Sequence, residues 1–192
     1  MGAGLLPLRG RAALVTGASR RAGIGHAIAR RLAALGASLF VHHYTPHDQA
    51  HPWGADPGGT RAVIDSVTDA LAGTAVLHHD ELDLADPGAP HQLIATAACA
   101  LGHLDILVCN HACSGNDGSL DTLNADMLDA HGLVDTGCAP PEVHEALRHR
   151  FPQARWGVPD DPARLIAWLT TDDAAWVTGQ TINTEGGFRR WN

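Results

Sequence analysis

Apolar residues in the first half of the chain alternate between short continuous runs and helical spacing. The runs are typical of strands buried on both faces of a parallel sheet, and they lie at residues 12–15, 37–41, 74–79 and 104–109. Apolar positions three and four residues apart predict helices at residues 24–35, 60–71 and 90–101. This alternation predicts an α/β fold, a doubly wound parallel sheet whose first four strands have the order 3-2-1-4.

A glycine turn joins the first run to the first helix, in the sequence AALVTGASRRAGIG. Gly17 permits a tight turn, Gly23 permits close approach of a pyrophosphate, and Gly25 permits the helix to pack against the strand. The helix N-terminus adds backbone N–H donors and a partial positive charge. A turn without a ligand is the alternative. The strand and helix on either side favour a phosphate-binding site in a Rossmann-like fold.

The second half of the chain predicts fewer strands. Helical spacing recurs at 141–151 and 162–170, and residues 176–183 predict a final strand. No linker, repeat or low-complexity tract divides the sequence, so we expect one domain over residues 1–192. We expect the C-terminal strand to lie beside the fourth strand. The alternative is a strand paired between two chains.

Composition excludes several classes of partner. A net charge of −8 argues against nucleic acid and anionic membranes, and there is no apolar run long enough to span a bilayer. The four cysteines include no CxxC pair, and no secretory signal is apparent, which together favour reduced thiols and a cytoplasmic protein. His43, His47 and His51 are spaced by four, but Pro46 and Pro52 interrupt that spacing, and we predict no metal site.

Two motifs resemble those of the short-chain dehydrogenase/reductase family, in particular its 3-oxoacyl-carrier-protein reductase-like members. Thr16-Gly17 and Gly23-Ile24-Gly25 resemble the TGxxxGxG loop, with five residues instead of three between the glycines. Asn110-His111-Ala112 resembles the NNAG signature, with a histidine at the second position. Cys113 replaces the final glycine of that signature.

Other segments extend the resemblance over nearly all of the chain. Asp83-Leu84 resembles the pair that contacts adenine in the family, although a helix cap is the alternative for an aspartate here, with Asp86 the better candidate. Residues 120–131 resemble the start of the next family helix. Residues 131–136 resemble the family's PGxxxT loop, with His131 in place of proline and Thr136 at its end.

The resemblance implies a nicotinamide dinucleotide and NADPH-dependent reduction of a ketone or 3-oxoacyl group. We favour NADP over NAD, because the second strand ends in His42-His43-Tyr44 without an acid for a ribose hydroxyl. Arg20 and Arg21 are candidates to bind the 2′-phosphate, although both could be solvated surface residues. The predicted cofactor-binding residues are Gly17, Ser19, Arg20, Gly23, Ile24, Gly25, Asp83, Leu84, Asn110, Ala112 and Thr136.

The family's catalytic residues have no counterparts in this sequence. The family uses a serine and a YxxxK helix, whereas all thirteen basic residues here are arginine and Tyr44 is the single tyrosine. His131 runs directly into Gly132, where the resemblance implies a missing block of about 60 residues. Three hypotheses follow: an oxidoreductase-like protein without its catalytic residues, a non-catalytic nucleotide- or partner-binding module, and an internally deleted gene product.

The missing block also bears on assembly. It includes one of the helices through which family members commonly pair, and the other is cut short. The retained residues 188–191, Phe188-Arg189-Arg190-Trp191, are candidates for exposed aromatic contacts. We therefore expect a homodimer that forms through the C-terminal region.

Overall fold

A computed structural model describes residues 6–111, 134, 136 and 141–189. The strands are β1 (Ala12–Val15), β2 (Ser38–His43), β3 (Leu77–Glu81) and β4 (Ile106–Val108). The helices are α1 (Ile24–Ala34), α2 (Thr45–Gln49), α3 (Gly59–Thr68), α4 (Ala89–Leu101), α5 (Pro141–Arg148) and α6 (Asp160–Leu169), and a 3₁₀ helix (Asp172–Ala174) follows α6. The predicted alternation of strands and helices is confirmed.

The four strands form one parallel sheet in the order β3-β2-β1-β4. In the register of the central pairs, Leu14 of β1 lies opposite Phe40 of β2 on one side and Leu107 of β4 on the other. This confirms the predicted order 3-2-1-4. It also brings the carboxyl ends of β1, β2 and β4 to one edge of the sheet, where parallel α/β folds place their ligands.

Helices cover both faces of the sheet, as the doubly wound prediction requires. On one face, Ile28 and Leu32 of α1 are fully buried against β1 and β2, together with Ala163 and Ala167 of α6. On the other face, α4 contributes Leu93 and Ala97, which pack with Leu14 and Phe40. No helix among the described residues is long and apolar enough to cross a membrane.

Residues 45–58, the insert between β2 and α3, contain the short helix α2. Pro46 lies in its first turn, where the missing backbone N–H costs no hydrogen bond. Near α4, the alternative role for Asp86 as a helix cap is wrong. The N-cap position is Gly88, no side chain caps the helix, and the Asp86 backbone carbonyl accepts the Ala89 N–H.

The predicted C-terminal strand is wrong. Residues 176–183 lie in the described part of the chain and form no strand, and Trp176 there is 98% exposed. Val177 instead donates its N–H to the carbonyl of Ala174, in a turn that follows the 3₁₀ helix. Gly179 then has a φ of +65°, which an extended strand does not tolerate. The predicted helix at 120–131 lies outside the described residues.

The C-terminal aromatic residues also differ from the expectation. Phe188 is only 7% exposed, and its ring lies 4.9 Å from that of Phe151. Leu147 and Trp156 complete this small cluster. Phe188 therefore serves the packing of α5 and is not the exposed contact that was expected, while Arg190 and Trp191 lie outside the described residues.

Candidate functional site

A cleft of about 670 Å³ opens at the carboxyl ends of the strands, beside the glycine turn that leads into α1. Nine predicted cofactor-binding residues line it: Gly17, Ser19, Arg20, Gly23, Ile24, Asp83, Leu84, Asn110 and Thr136. Gly25 lies directly behind the turn, and Ala112 lies outside the described residues. Residues that are up to 119 positions apart in sequence thus meet in one cleft, and their binding of a cofactor stays a prediction.

Two glycines of the turn have no room for a side chain. Gly17 has a φ of +71°, and a Cβ there would lie 2.9 Å from the His111 backbone. A Cβ on Gly25 would lie 2.5 Å from the Gly17 carbonyl oxygen and 2.6 Å from Nδ2 of Asn110. The helix therefore approaches the turn as closely as the sequence predicts for a phosphate-binding loop.

The segment after β4 braces the turn from one side. The Asn110 side-chain amide donates to the Gly17 carbonyl at 3.0 Å, and the Asn110 backbone N–H donates to the Thr16 hydroxyl at 3.0 Å. His111 Nδ1 lies 2.8 Å from the same hydroxyl. Asn110, the first residue of the NNAG-like motif, therefore supports the glycine turn through hydrogen bonds.

A buried histidine braces the turn from the other side. His42, at the end of β2, is 2% exposed. Its Nδ1 accepts the Gly17 backbone N–H at 3.2 Å, and its Nε2 lies 2.9 Å from the Leu82 carbonyl oxygen, which can only accept. The ring is therefore the neutral tautomer with its proton on Nε2. Burial is the main cause that lowers the pKa of His42.

The second strand ends without an acid, as the sequence shows, but α2 brings one to the cleft. Oδ1 of Asp48 lies 3.3 Å from Nε of Arg20, and both side chains are nearly buried. Trp53 donates its indole N–H to the same oxygen at 3.1 Å. The Arg20 guanidinium also lies over the Trp53 ring, 5.8 Å from its centroid, and donates to the Thr136 carbonyl.

The neighbouring arginine has a different environment. Arg21 does not line this cleft. Its guanidinium and its backbone N–H bind both carboxylate oxygens of Asp56, whose side chain is 4% exposed. The Gly58 N–H also donates to this carboxylate, and the Arg21 side chain is the main cause that lowers the pKa of Asp56 to about 2. Arg21 thus anchors residues 45–58 to the glycine turn and is not placed to meet a ligand in the cleft.

Several polar and aromatic side chains in and near this end of the cleft contact one another. The Tyr44 hydroxyl is hydrogen-bonded to Asp83, which raises the pKa of Tyr44. His51 stacks on Trp53 with their rings 4.5 Å apart, while His43 pairs with His79. Among the described residues, no group of three histidine, cysteine or acidic side chains is arranged to hold a metal ion.

The fold defines a doubly wound α/β protein with a cleft at the carboxyl ends of its strands, and comparison with known proteins identifies its family. The model of the short chain dehydrogenase family matches residues 11–131. The chain therefore belongs to that family.

Two relatives agree with this family assignment and differ in how much of each chain is aligned. An uncharacterized oxidoreductase of Bacillus subtilis (strain 168) is 26% identical over 255 residues, which covers 93% of this chain and 96% of the relative. A 3-oxoacyl-[acyl-carrier-protein] reductase of Rickettsia felis is 42% identical, but over 43 residues, 22% of this chain and 18% of the relative. Similarity to that reductase is therefore local.

A solved structure shows the same fold. The 3-oxoacyl (acyl-carrier-protein) reductase of Agrobacterium tumefaciens C58, with NADP bound, superposes with a TM-score of 0.71 and is 24% identical. The match covers 96% of each chain.

Sequence reasoning missed several residues that line the cleft, above all His42, Asp48 and Trp53. From sequence, the ending His42-His43-Tyr44 shows only that the second strand lacks a terminal acid. No periodicity or motif pointed to Asp48 or Trp53, since both lie in an insert whose path depends on its ion pairs with Arg20 and Arg21. The adjacent pair Arg20-Arg21 was the available signal, because each arginine needs a counter-charge when it is partly buried.

Asp56 provides a test of how the insert is held. Because its folded-state pKa is depressed from 3.8 to about 2, its stabilisation is present above the unfolded pKa and is lost as pH falls through about 2. We expect Asp56→Asn to lower the free energy of unfolding by about 2 kcal/mol at neutral pH, and by about half of that near pH 3. Urea denaturation at the two pH values measures both.

Asp65→Asn is the matched control, because Asp65 pairs with Arg61 on an exposed helix surface. That substitution should change stability by less than about 1 kcal/mol at either pH. A loss for Asp56→Asn that does not depend on pH would show that the carboxylate charge is not what anchors the insert.

Proposed function

We propose that the cleft binds a nicotinamide dinucleotide and that this chain does not catalyse the reductase reaction of its family. The observation that carries the binding proposal is the glycine turn, at which Gly17 and Gly25 leave no space for a side chain and Asn110 holds the Gly17 carbonyl. Helix α1 begins without a side-chain cap and without an acidic residue in its first turn. Its N-terminus therefore suits a pyrophosphate.

The other residues of the cleft fit the remaining parts of such a molecule. Asp83 and Leu84 form the wall that the family resemblance assigns to adenine, and Tyr44 is held beside them through Asp83. Asn110 and Thr136 line the cleft beyond the turn. A nicotinamide ring supplies the hydride when it is bound. These residues of the chain would bind and orient the molecule.

Loss of catalysis is supported by what the sequence lacks. Reduction of a carbonyl leaves an alkoxide that requires a proton, which the family takes from a tyrosine beside a lysine. The chain has no lysine, and its single tyrosine is bonded to Asp83 at the adenosine end. The alignment with the Bacillus relative spans 255 positions, whereas this chain has 192 residues. At least 63 aligned positions therefore have no residue in this chain.

The size of the expected loss is large. General acid catalysis contributes about 10²–10⁴ in rate, and a positioned oxyanion donor about 10²–10³ more. We therefore expect saturable NADPH binding by fluorescence titration, together with no NADPH oxidation above background when ketones and 3-oxoacyl thioesters are supplied.

Saturable NADPH-dependent reduction would contradict the loss of catalysis. His111 is then the first proton donor to test by substitution with alanine, because it lies beside Thr16 at the end of β4. Titration without any dinucleotide binding would instead favour a partner-binding module or a deleted gene product, the remaining candidates.

NADP is the proposed cofactor, through Arg20. The nearby Asp48 carboxylate offsets the charge of Arg20. Selectivity for NADP⁺ over NAD⁺ can therefore be tested by removal of either the positive or the negative charge. We expect Arg20→Ala to weaken NADP⁺ binding by about 1.5–3 kcal/mol, the range for hydrogen bonds to charged groups, with little effect on NAD⁺. Asp48→Asn should strengthen NADP⁺ binding, because it removes the negative charge beside the 2′-phosphate.

Calorimetric titration of both cofactors gives the two affinities for each variant. Asp65→Asn again serves as a control, because its carboxylate is exposed and lies outside the cleft. Equal losses of NAD⁺ and NADP⁺ in Arg20→Ala would show that Arg20 shapes the turn and does not select the 2′-phosphate.

We further propose a homodimer that forms through the C-terminal region. Trp176, Val177 and Ile182 are exposed apolar residues in one segment, and Trp176 is almost fully exposed. Light scattering at micromolar concentration should therefore give a dimer mass for the wild type and a monomer mass for Trp176→Asp. Ile94→Asp, at an exposed position of α4, should remain dimeric, and a monomeric wild type would contradict the proposal.

A further inference from the structure

His42 is a buried titratable side chain that connects the two walls of the cleft. One wall is the glycine turn, and the other is the segment Leu82-Asp83-Leu84 that follows β3. The imidazole accepts the Gly17 N–H on Nδ1 and donates its Nε2 proton to the Leu82 carbonyl, at 3.2 and 2.9 Å. The His42 backbone carbonyl also accepts the Ala18 N–H at 3.0 Å. The end of β2 is thus bonded to both walls.

Only the neutral ring can make both side-chain bonds. Protonation would place an N–H on Nδ1, directly opposite the Gly17 N–H, so that two donors would face each other in a buried site. Such an arrangement loses the hydrogen bond and leaves both donors without an acceptor, which is more costly than the loss of the bond alone. The turn and the ring would have to move apart.

We propose that His42 is a positioning residue for dinucleotide binding: as a neutral imidazole it sets the separation between the glycine turn and the Leu82–Leu84 wall, and its protonation loosens the turn and weakens binding in mild acid. This inference rests on the proposed dinucleotide function. It assigns His42 no contact with substrate and no step in a reaction.

The charged and titratable groups around His42 come from three elements. His43 is its neighbour on β2, Asp80 and Glu81 lie on β3, and His111 follows β4 with its ring 6.4 Å from that of His42. Burial opposes protonation of His42 most strongly and His111 adds to that effect, whereas the Leu82 carbonyl and the two carboxylates favour protonation. The net effect lowers the pKa of His42 below its ordinary value, so the ring is neutral at physiological pH and gains a proton only below that range.

The test compares the pH dependence of NAD⁺ binding in the wild type and three variants. His42→Asn retains an oxygen acceptor close to the position of Nδ1 and does not titrate, whereas His42→Leu removes both hydrogen bonds. His91→Asn, at an exposed position of α4, is the matched control. The probe is NAD⁺, followed by tryptophan fluorescence because Trp53 lines the cleft. NADP⁺ is unsuitable here because a phosphate monoester itself titrates near pH 6.

We expect wild type and His91→Asn to lose NAD⁺ affinity as pH falls below the ordinary histidine range, by up to about tenfold once His42 is fully protonated. His42→Asn should keep most of its neutral-pH affinity and show a flat profile. His42→Leu should bind about tenfold more weakly at neutral pH. A flat wild-type profile, or the same acid loss in His42→Asn, would overturn the proposal.

Hydrogen exchange without any ligand separates this inference from the dinucleotide proposal. The protection factor of the Gly17 and Ala18 amides should fall in acid in wild type and stay constant in His42→Asn. Because the other buried histidines, His26 and His43, are present in both proteins, they cannot produce that difference. Unchanged protection in wild type contradicts the role of His42, whereas pH-dependent protection without NAD⁺ binding retains the role of His42 in the turn and rejects the dinucleotide.

Discussion

The cleft depends on one constraint, the close packing of the glycine turn between α1 and the segment that follows β4. Gly25 lies so near the Gly17 carbonyl and the Asn110 amide that one methyl group would collide with both. The Gly17 carbonyl accepts from the Asn110 amide and the Gly17 N–H donates to His42, so both backbone polar groups of this partly buried glycine have a partner. The turn is therefore held on both sides, and the residues that line the cleft surround it.

Residues 45–58 are attached to the glycine turn by two ion pairs. Arg20 and Arg21 leave the turn in different directions, and each meets an aspartate from this insert. Burial of a carboxylate is costly without a cation and hydrogen bonds, and Asp56 has both, since it accepts two backbone N–H groups beside the Arg21 fork. The paired basic residues of the turn therefore act as anchors for the insert. One of them remains in the cleft, where its charge is already partly offset by Asp48.

The sequence predicted the fold where the pattern is local and failed where the outcome depends on distant partners. Continuous apolar runs and helical spacing are properties of neighbouring residues, so the strand order and the α/β class were confirmed. The strand at 176–183 depended on a neighbour elsewhere in the sheet, and that segment forms a turn with Gly179 at positive φ. The glycine pattern predicted the turn of the cleft. The positions of Asp48 and Trp53 could not be predicted, because ion pairs between the insert and the turn determine them.

The proposed binding of a dinucleotide does not depend on the residues that the family uses for catalysis. The turn and its two braces lie within residues 16–111, and they are held by short hydrogen bonds between elements that pack on one sheet. None of these contacts requires a residue of the family's catalytic helix. The cleft can therefore keep its geometry when the groups that transfer a proton are missing, because its walls rest on the sheet and on the hydrogen bonds of His42 and Asn110. The proposed loss of catalysis therefore rests on the lack of a placed proton donor and does not require that the cleft be lost.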